Sequence, residues 1–316
     1  MPHILICFIG SDKLIYNVNE LIKALEKTDI TFALNEPMSR HTSFKIGGAA
    51  DVFAAVSSSE KLLKLKDLCN NYEVPITVVG KGSNLLVSDK GIEGVVVTTE
   101  LLNKIEVEGL RITAGAGATL SALCNAAAGA GLSGLEFAFG IPGSVGGAVY
   151  MNAGAYGGEM RDVIESVTAL MPDGSIATLK SEDLGLSYRK SVFSSNGAIV
   201  LSATFCLKQG EPEKIREDMN DILRRRKEKQ PLEYPSAGST FKRPEGNFAG
   251  TLIEKCGLKG KSVGGAAVSR KHAGFVINTG KATAKDVRLL IEKIQNTVLN
   301  ETGIKLEPEV LFVGRE

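Results

Sequence analysis

Two glycine-rich segments carry the residues in this 316-residue chain whose types and spacing most directly imply chemistry. Residues 140–159 read Gly-Ile-Pro-Gly-Ser-Val-Gly-Gly-Ala-Val-Tyr-Met-Asn-Ala-Gly-Ala-Tyr-Gly-Gly-Glu, with seven glycines and a single charge. Glycine loses more backbone freedom on folding than any other residue, so a run this dense needs a reason. Successive bare N–H groups turned into one concavity make a nest for an anion, phosphate above all. A flexible linker would be rich in Ser and Gly and poor in apolar groups. Here Ile141, Val145, Val149, Tyr150, Met151 and Tyr156 are interleaved, so the segment is read as a buried, ordered loop.

The second segment, Gly80-Lys-Gly-Ser-Asn84, lies directly after a strand pattern at 75–79. Small residues following a strand expose N–H groups and hydroxyls, as a phosphate loop does. The GxxxxGK[ST] spacing of a Walker loop is absent, and a strand pattern follows where a dinucleotide-binding turn would open a helix. A third run, Gly115-Ala-Gly-Ala-Thr-Leu120, has two glycines of GxGxxG without the third and is read as tight strand–helix packing. The basic run Arg224-Arg-Arg-Lys227 is either a phosphate grip or a solvated helix end.

Composition bounds the rest. The formal charge of +1 gives no reason to expect nucleic acid or an acidic membrane as partner. Five cysteines (Cys7, Cys69, Cys124, Cys206, Cys256), odd in number and without a CxxC, argue against a disulfide framework and for a reducing cytoplasm. Three dispersed histidines (His3, His41, His272) without an HExxH argue against a protein-built metal site. The apolar run at the N-terminus lacks the basic flank and cleavage site of a signal peptide and is too short to span a bilayer. It is an extra strand or a disordered extension. No later segment has the length of a transmembrane helix.

The elements that must hold these loops follow from periodicity. Helices are expected at 17–28 behind an Asn cap, 59–69 after a Ser cap, 120–130, 211–229, 247–256 and 283–300. Strands are expected at 51–56, 75–79, 85–87, 94–98, 110–114, 163–170, 176–179, 198–207, 273–278 and 305–313. Residues 186–193 are mixed in character, and residues 37–48 are polar and glycine-ended. Acidic residues early and basic residues late in 211–229 suit the helix dipole. Pro231 and Pro235 mark a boundary. The order strand, helix, strand, glycine turn, strand, strand makes the first part an α/β or α+β unit, and the block beyond the prolines reads as a separate α+β domain.

Six collinear motifs carry a resemblance to one family. They are Gly80-Lys-Gly-Ser-Asn84, the Ile-Pro-Gly-Ser-Val-Gly-Gly run from Ile141, Asn152-Ala-Gly-Ala-Tyr-Gly157, Tyr188-Arg189, Ala237-Gly-Ser-Thr-Phe-Lys-Arg-Pro244 and Leu306-Glu-Pro-Glu-Val310. Together they resemble the UDP-N-acetylenolpyruvoylglucosamine reductases over roughly residues 35–314, in the shorter class that lacks a tyrosine-bearing lid segment. The first two motifs also resemble the wider vanillyl-alcohol-oxidase-like class of flavin domains. The resemblance implies an α+β fold in three parts: an N-terminal extension and helix (1–34), an FAD-binding domain of two subdomains (35–210, dividing near 100) and a C-terminal α+β substrate-binding domain (211–316).

It further implies that FAD is held by Gly80, Lys81, Gly82, Ser83, Asn84, Ile141, Pro142, Gly143, Ser144, Gly147, Asn152, Gly154, Ala155 and Arg226. The Lys81 ammonium, where the family commonly differs, reaches either the pyrophosphate or solvent. Neither loop holds a histidine, so the FAD is expected to be non-covalent. NADPH is the implied co-substrate, and the implied reaction turns an enolpyruvyl UDP-sugar into UDP-N-acetylmuramate for peptidoglycan synthesis. Ser239 matches the family's proton donor, and Arg189 and Glu309 match the pair that steadies the enol intermediate at its carboxylate. Lys229 and Arg243 match substrate contacts, while Lys255, Lys259 and His272 are candidates for the diphosphate by type and domain. The chain is read as a monomer. An FAD-dependent oxidase of the same flavin class is the alternative enzyme, and a nucleotide-binding sensor, which leaves the Ser239 loop unexplained, the alternative without catalysis.

Overall fold

The computed structural model describes the backbone of residues 11–316 and side chains from residue 17 onward, so the expectation of a strand or extension at the extreme N-terminus lies outside the described residues. The chain divides into two compact units. The first takes Asp51–Lys81 and Gly94–Arg224 together with the described residues up to Leu34, and the second takes Asn35–Ala50, Gly82–Glu93 and Arg225–Glu316.

In the first unit, helix α1 (Ser11–Leu25) begins before Asn17, which therefore lies inside the helix instead of capping it, and the helix ends at Leu25, short of residue 28. Helix α2 (Ser59–Asn71) starts at Ser58, whose hydroxyl accepts from the Lys61 amide at 3.3 Å. Its Leu62, Leu65 and Cys69 are buried against a four-stranded sheet of order Thr31–Pro37, Ala49–Ala55, Ile92–Thr98, Ile76–Val79. The last two strands run parallel, with Val79 opposite Thr98, and this pairing fixes where the glycine turn begins.

A second, wholly antiparallel sheet has the order Ile176–Lys180, Ile164–Leu170, Ile199–Cys206, Arg111–Gly115, Ile105–Glu108. Its edge strand Ile105–Glu108 has the burial pattern of an exposed hairpin arm, and its alternating charges gave no expectation of a strand. Helix α3 (Leu120–Gly129), capped by Thr119, buries Leu120, Leu123, Cys124, Ala127 and Ala128 on the core beneath this sheet. Within the glycine-rich run, helix α4 (Val145–Tyr150) replaces the expected continuous loop; Ser144 caps it, and Val145, Ala148 and Val149 are buried. Small residues let this helix sit directly on the core.

Helix α5 (Pro212–Lys229) runs from the first unit into the second, the division falling after Arg224. In the second unit, α6 (Ala249–Lys255) and α7 (Ala284–Thr302) share one core with Phe44, Ile46, Leu86, Phe241, Leu306 and Val310. Each fully buried aliphatic side chain there contributes about 1.5–3 kcal/mol. The stop and start signals of α7 are explicit: Thr283 and Asp286 form a reciprocal capping box, and Gly303 ends the helix at φ 72°. The glycine- and lysine-rich stretch 257–268 forms two short strands, Ser262–Val263 and Ala266–Val268, paired antiparallel to each other and then to Val276–Asn278. The strand Leu311–Val313 pairs in parallel with Leu85–Val87. Among the described residues no helix is long and apolar enough to cross a membrane.

Candidate functional site

Within the first unit the two glycine loops touch. A Cβ placed on Gly80 would lie 2.2 Å from the Ser144 Oγ, so the turn after strand Ile76–Val79 is seated against the start of α4. Ser144 is buried, and its hydroxyl faces the Gly147 amide at 3.5 Å. The extended pairing of Ser144 with Thr119 occupies the carbonyl of Gly143 and the amide of Val145, which bond Leu120 and Ala118. Among the described residues the amides of Lys81, Gly143 and Ser144 donate to no protein group, so they are left for a ligand. Bare amides beside an N-cap hydroxyl suit a phosphate oxygen, and the residues present therefore fit a dinucleotide pyrophosphate. Gly147 is exposed, with only the Ser144 hydroxyl within 4 Å of where a side chain would start. The Lys81 ammonium sits 3.3 Å from Glu100 with both side chains partly exposed, a pair of little energetic weight. Ile141 and Pro142 lead into this turn, half-buried and exposed respectively.

Further along the same run the side chain of Asn152 braces a neighbour. Fully buried, at φ 40°, Asn152 donates from Nδ2 to the Ser187 carbonyl at 3.1 Å and accepts at Oδ1 from the Arg161 amide at 3.0 Å. Ser187 and Lys190 exchange both backbone hydrogen bonds, which leaves Tyr188 and Arg189 at the tip of a two-residue hairpin. Ser191 then donates from Oγ to the Tyr150 carbonyl at 2.8 Å. The mixed segment 186–193 is thus a hairpin clamped to the glycine-rich run at both of its feet. Arg189 holds φ 55°, a strained region for a residue with a side chain, and its guanidinium donates to the Gly154 carbonyl at 3.4 Å while stacking 5.0 Å over Tyr188. Gly154 and Ala155 form the first arm of a small hairpin with Gly158–Glu159.

The remaining candidates lie in the second unit. A Cβ on Gly82 (φ +57°) would fall 2.1 Å from the His41 carbonyl oxygen, so only glycine fits there. The amides of Gly82 and Ser83 make no hydrogen bond to the protein among the described residues. Asn84 reaches the catalytic candidates directly: its Nδ2 donates to the Glu309 carbonyl at 3.1 Å, and its own carbonyl accepts from the Leu311 amide at 2.9 Å.

Ser239 and Glu309 are brought onto adjoining chain segments. The Glu309 amide donates to the Thr240 carbonyl at 2.8 Å and the Lys242 amide to the Glu307 carbonyl at 2.9 Å, around an antiparallel bridge between Phe241 and Pro308. Thr240 is buried; its amide donates to the Gly274 carbonyl, and its hydroxyl accepts from the Val276 amide at 2.9 Å. Buried Ala237 and Thr240 therefore fix the segment, and Ser239 between them is left exposed. This three-way support by Thr240 was not legible beforehand, because a lone threonine in a loop has no distinctive spacing.

Arg226 is buried while Arg224, Arg225, Lys227 and Lys229 are exposed. A solvated helix end would expose all five, and a guanidinium leaves water only where anionic or carbonyl groups receive it. Arg243 stacks 4.8 Å over the exposed ring of Phe248. Lys255 is exposed at the last turn of α6, and Lys259 pairs with Glu254 of the same helix at 2.6 Å. His272 packs against that helix too: a Cβ on Gly250 would lie 3.1 Å from its Cε1. Its Nδ1 accepts from the Gly274 amide at 3.1 Å, so the neutral ring carries its proton on Nε2. Burial first, and the Lys259 ammonium after it, hold this imidazole below its ordinary range. His272 therefore offers a neutral N–H donor and no charge near pH 7.

Comparison with known proteins agrees with this layout. The family model described as UDP-N-acetylenolpyruvoylglucosamine reductase, C-terminal domain, matches residues 230–313, and one described as FAD binding domain matches residues 49–180. The UDP-N-acetylenolpyruvoylglucosamine reductase of Clostridium novyi (strain NT) is 54% identical over 88% of this chain and 91% of its own. That of Caldanaerobacter subterraneus subsp. tengcongensis is 53% identical, over 90% and 94%. Among solved structures, the UDP-N-acetylenolpyruvylglucosamine reductase of Thermus caldophilus superposes with a TM-score of 0.77 at 38% identity, covering 90% of this chain and 98% of that one. The α+β architecture is accordingly an FAD-binding domain joined to a C-terminal reductase domain.

Proposed function

Because the chain belongs to the UDP-N-acetylenolpyruvoylglucosamine reductase family, we propose a division of labour among its residues for that family's reaction. The protein is an FAD-dependent oxidoreductase of peptidoglycan precursor synthesis, reducing an enolpyruvyl UDP-sugar to UDP-N-acetylmuramate. FAD, when bound, supplies a ring that accepts hydride from a nicotinamide donor, taken here as NADPH, and delivers it to the enolpyruvyl methylene carbon.

The bare amides of Lys81, Gly143 and Ser144 hold the FAD pyrophosphate, and the bare amides of Gly82 and Ser83 and the buried Arg226 are further cofactor contacts. Arg189 grips the substrate carboxylate through its planar fork, and the clamped hairpin under it limits its freedom. Hydride arrival at the methylene carbon leaves enolate charge next to that carboxylate, and the carbon bearing it needs a proton. The Ser239 hydroxyl delivers this proton. A serine hydroxyl is a weak acid in water, so the transfer depends on positive neighbours and on precise placement. Glu309 steadies the enol at the carboxylate end, its backbone fixed by Thr240 on one side and Asn84 on the other. Lys229 and Arg243, then Lys255 and Lys259, supply the charge that the diphosphate requires, with His272 as a neutral donor. Cytoplasmic placement belongs to the same proposal, carried by five cysteines without a pairing pattern.

The observation that most supports this reading is the seating of exposed Ser239 and half-buried Glu309 on adjoining segments through the Glu309–Thr240 hydrogen bond. The test is anaerobic half-reaction kinetics. The purified protein is expected to be yellow, to bleach with NADPH and to recolour rapidly with the enolpyruvyl UDP-sugar. In Ser239→Ala the bleaching step should persist while recolouring falls by about a hundredfold or more. Equal loss of both steps would remove the proton-donor role, and rapid recolouring by oxygen alone would favour the oxidase alternative.

A further inference from the structure

The polar, glycine-ended segment 37–48 has no part in the roles assigned so far, yet it meets two of the functional loops in the second unit. Ser43 is the point of contact. Its amide donates to the carbonyl of Gly82 in the cofactor turn at 3.2 Å, and its Oγ donates to the carbonyl of Ser236 at 2.6 Å. Ser236 is three residues before Ser239 and forms a bridge with Ile277. The segment around Ser43 is itself rigidly held. Thr42, buried, donates from its hydroxyl to the Ile46 carbonyl at 3.0 Å. Asn278, also buried, donates from Nδ2 to the Phe44 carbonyl at 3.1 Å, and its amide donates to the Pro235 carbonyl at 2.9 Å. One serine thus ties residue 82 of the cofactor turn to residue 236 of the proton-donor loop, its own bond to residue 236 spanning 193 positions of sequence.

We propose that Ser43 is a positioning residue for the proton-transfer step, setting the Ser239 loop at a fixed distance from the cofactor turn through its paired hydrogen bonds to Ser236 and Gly82. The geometry favours the side-chain bond as the adjustable half. The amide bond to Gly82 survives any substitution except proline, whereas the bond to Ser236 depends on the hydroxyl. Beyond Ser236 the chain passes through Gly238 at φ +75°, where nothing lies within 4 Å of a side-chain position. Thr240 holds the chain on the far side of Ser239, whereas on the near side the unbraced glycine leaves its placement to anchors further back, of which Ser43 is one. A displacement of about 1 Å in a reacting group is enough to slow a chemical step by about a hundredfold.

This inference rests on Ser239 being the proton donor, and the experiment separates the two. Wild type, Ser43→Ala, Ser239→Ala and the double variant are compared in anaerobic stopped flow, with enolpyruvyl UDP-sugar added to the NADPH-reduced enzyme. Ser43→Ala is expected to keep the NADPH step within about twofold and to slow the recolouring step about tenfold or more, with a larger solvent deuterium isotope effect on that step. Ser43→Thr, which keeps the hydroxyl, should recover most of the rate. In the Ser239→Ala background the added Ser43→Ala change should have no further effect on recolouring, because its only route is through the missing hydroxyl. Independently of activity, amide hydrogen exchange in the peptide spanning 235–241 of the FAD-free protein should rise about fivefold or more in Ser43→Ala.

Equal slowing of both steps, additivity in the double variant, unchanged exchange in 235–241, or failure of Ser43→Ala to bind FAD would each overturn the positioning role. A Ser239→Ala enzyme with a wild-type recolouring rate would instead remove the donor assignment on which the inference stands.

Discussion

Replacing Gly80 with alanine isolates the contact between the two glycine loops. The backbone at Gly80 is outside the left-handed region, so alanine is conformationally permitted, and reduced freedom of the unfolded chain would by itself stabilise by about 0.4–1 kcal/mol. Against this, the new Cβ would lie 2.2 Å from the Ser144 Oγ, far inside any permitted contact. Ser144 is buried, and its hydroxyl has to swing away from the Gly147 amide that it faces at 3.5 Å. Loss of an N-cap costs about 1 kcal/mol, and overpacking adds about 1–3 kcal/mol. The net expectation is a loss of about 2 kcal/mol, or about 4–8 °C in Tm.

In a Ser144→Ala background the clashing atom is gone. The next neighbour is the residue-144 Cβ at 3.4 Å, an ordinary contact, so the same change should be neutral within about 0.5 kcal/mol. Calorimetry of the four FAD-free proteins gives the coupling, and fluorescence quenching gives FAD affinity, expected to drop about tenfold in Gly80→Ala. A Gly80→Ala change that is harmless alone, or equally harmful in both backgrounds, would refute the Gly80–Ser144 contact as the cause.

Three further outcomes follow from single residues. Asn152→Ala removes two buried hydrogen bonds and leaves a side chain at φ 40°, so urea denaturation should show a loss of about 3 kcal/mol, with Asn152→Gly about 1 kcal/mol milder; the reverse ranking would contradict the strain argument. Hydrogen bonding from the Thr283 amide holds the Asp286 carboxyl below its ordinary value of 3.8, so its stabilising effect is complete above about pH 4 and is lost as pH falls through the lower folded value. Asp286→Ala should therefore cost about 1–2 kcal/mol at neutral pH, with the gap to wild type closing only in acid, as followed by Tm against pH. For His272, held below its ordinary 6.5 by burial, the unfolded chain takes up a proton first, so wild-type stability falls as pH drops below about 6.5, and His272→Gln should flatten that part of the Tm profile.

Much of this molecule follows from local pattern. Ser58, Thr119 and Thr283 each cap the helix that periodicity places after them, and the apolar stripe Val287, Leu290, Ile291, Ile294, Val298 is the buried face of α7. The turn at 80–84 and the run at 140–159 are both conspicuous as glycine-dense sequence, because bare backbone near a ligand needs glycine wherever the ligand comes from. What escaped was non-local. Helix α4 is hidden in that run because Gly146 and Gly147 are poor helix formers; burial of Val145 and Val149 overrides the propensity. The strand at 105–108 has too few apolar residues to signal itself and exists because Arg111–Gly115 pairs with it. The bonds of Asn152, Thr240 and Asn84 depend on partners that only the fold brings near, and no spacing in the sequence encodes them. Arg189, Ser239 and Glu309 were reached through family resemblance alone; an arginine at a hairpin tip and a glutamate before a strand carry no signature of their own.

The parallel pairing of Leu85–Val87 with Leu311–Val313 also constrains the order of events during synthesis. Asn84 and the residue whose carbonyl it holds are 225 positions apart. At about 5–20 residues per second, a ribosome takes about 10–45 s to cover that distance. Throughout this interval Leu86 and Val87, buried in the finished protein, lack their strand partner, and Leu86 also lacks its core neighbour Val310. The turn at 80–84 therefore spends that interval beside an open, sticky edge, a natural client for a holding chaperone. Its final shape is set by residues that emerge 225 positions or more later, so premature termination upstream of Leu311 would leave the turn unformed even in a chain that already contains every other residue proposed to hold the flavin.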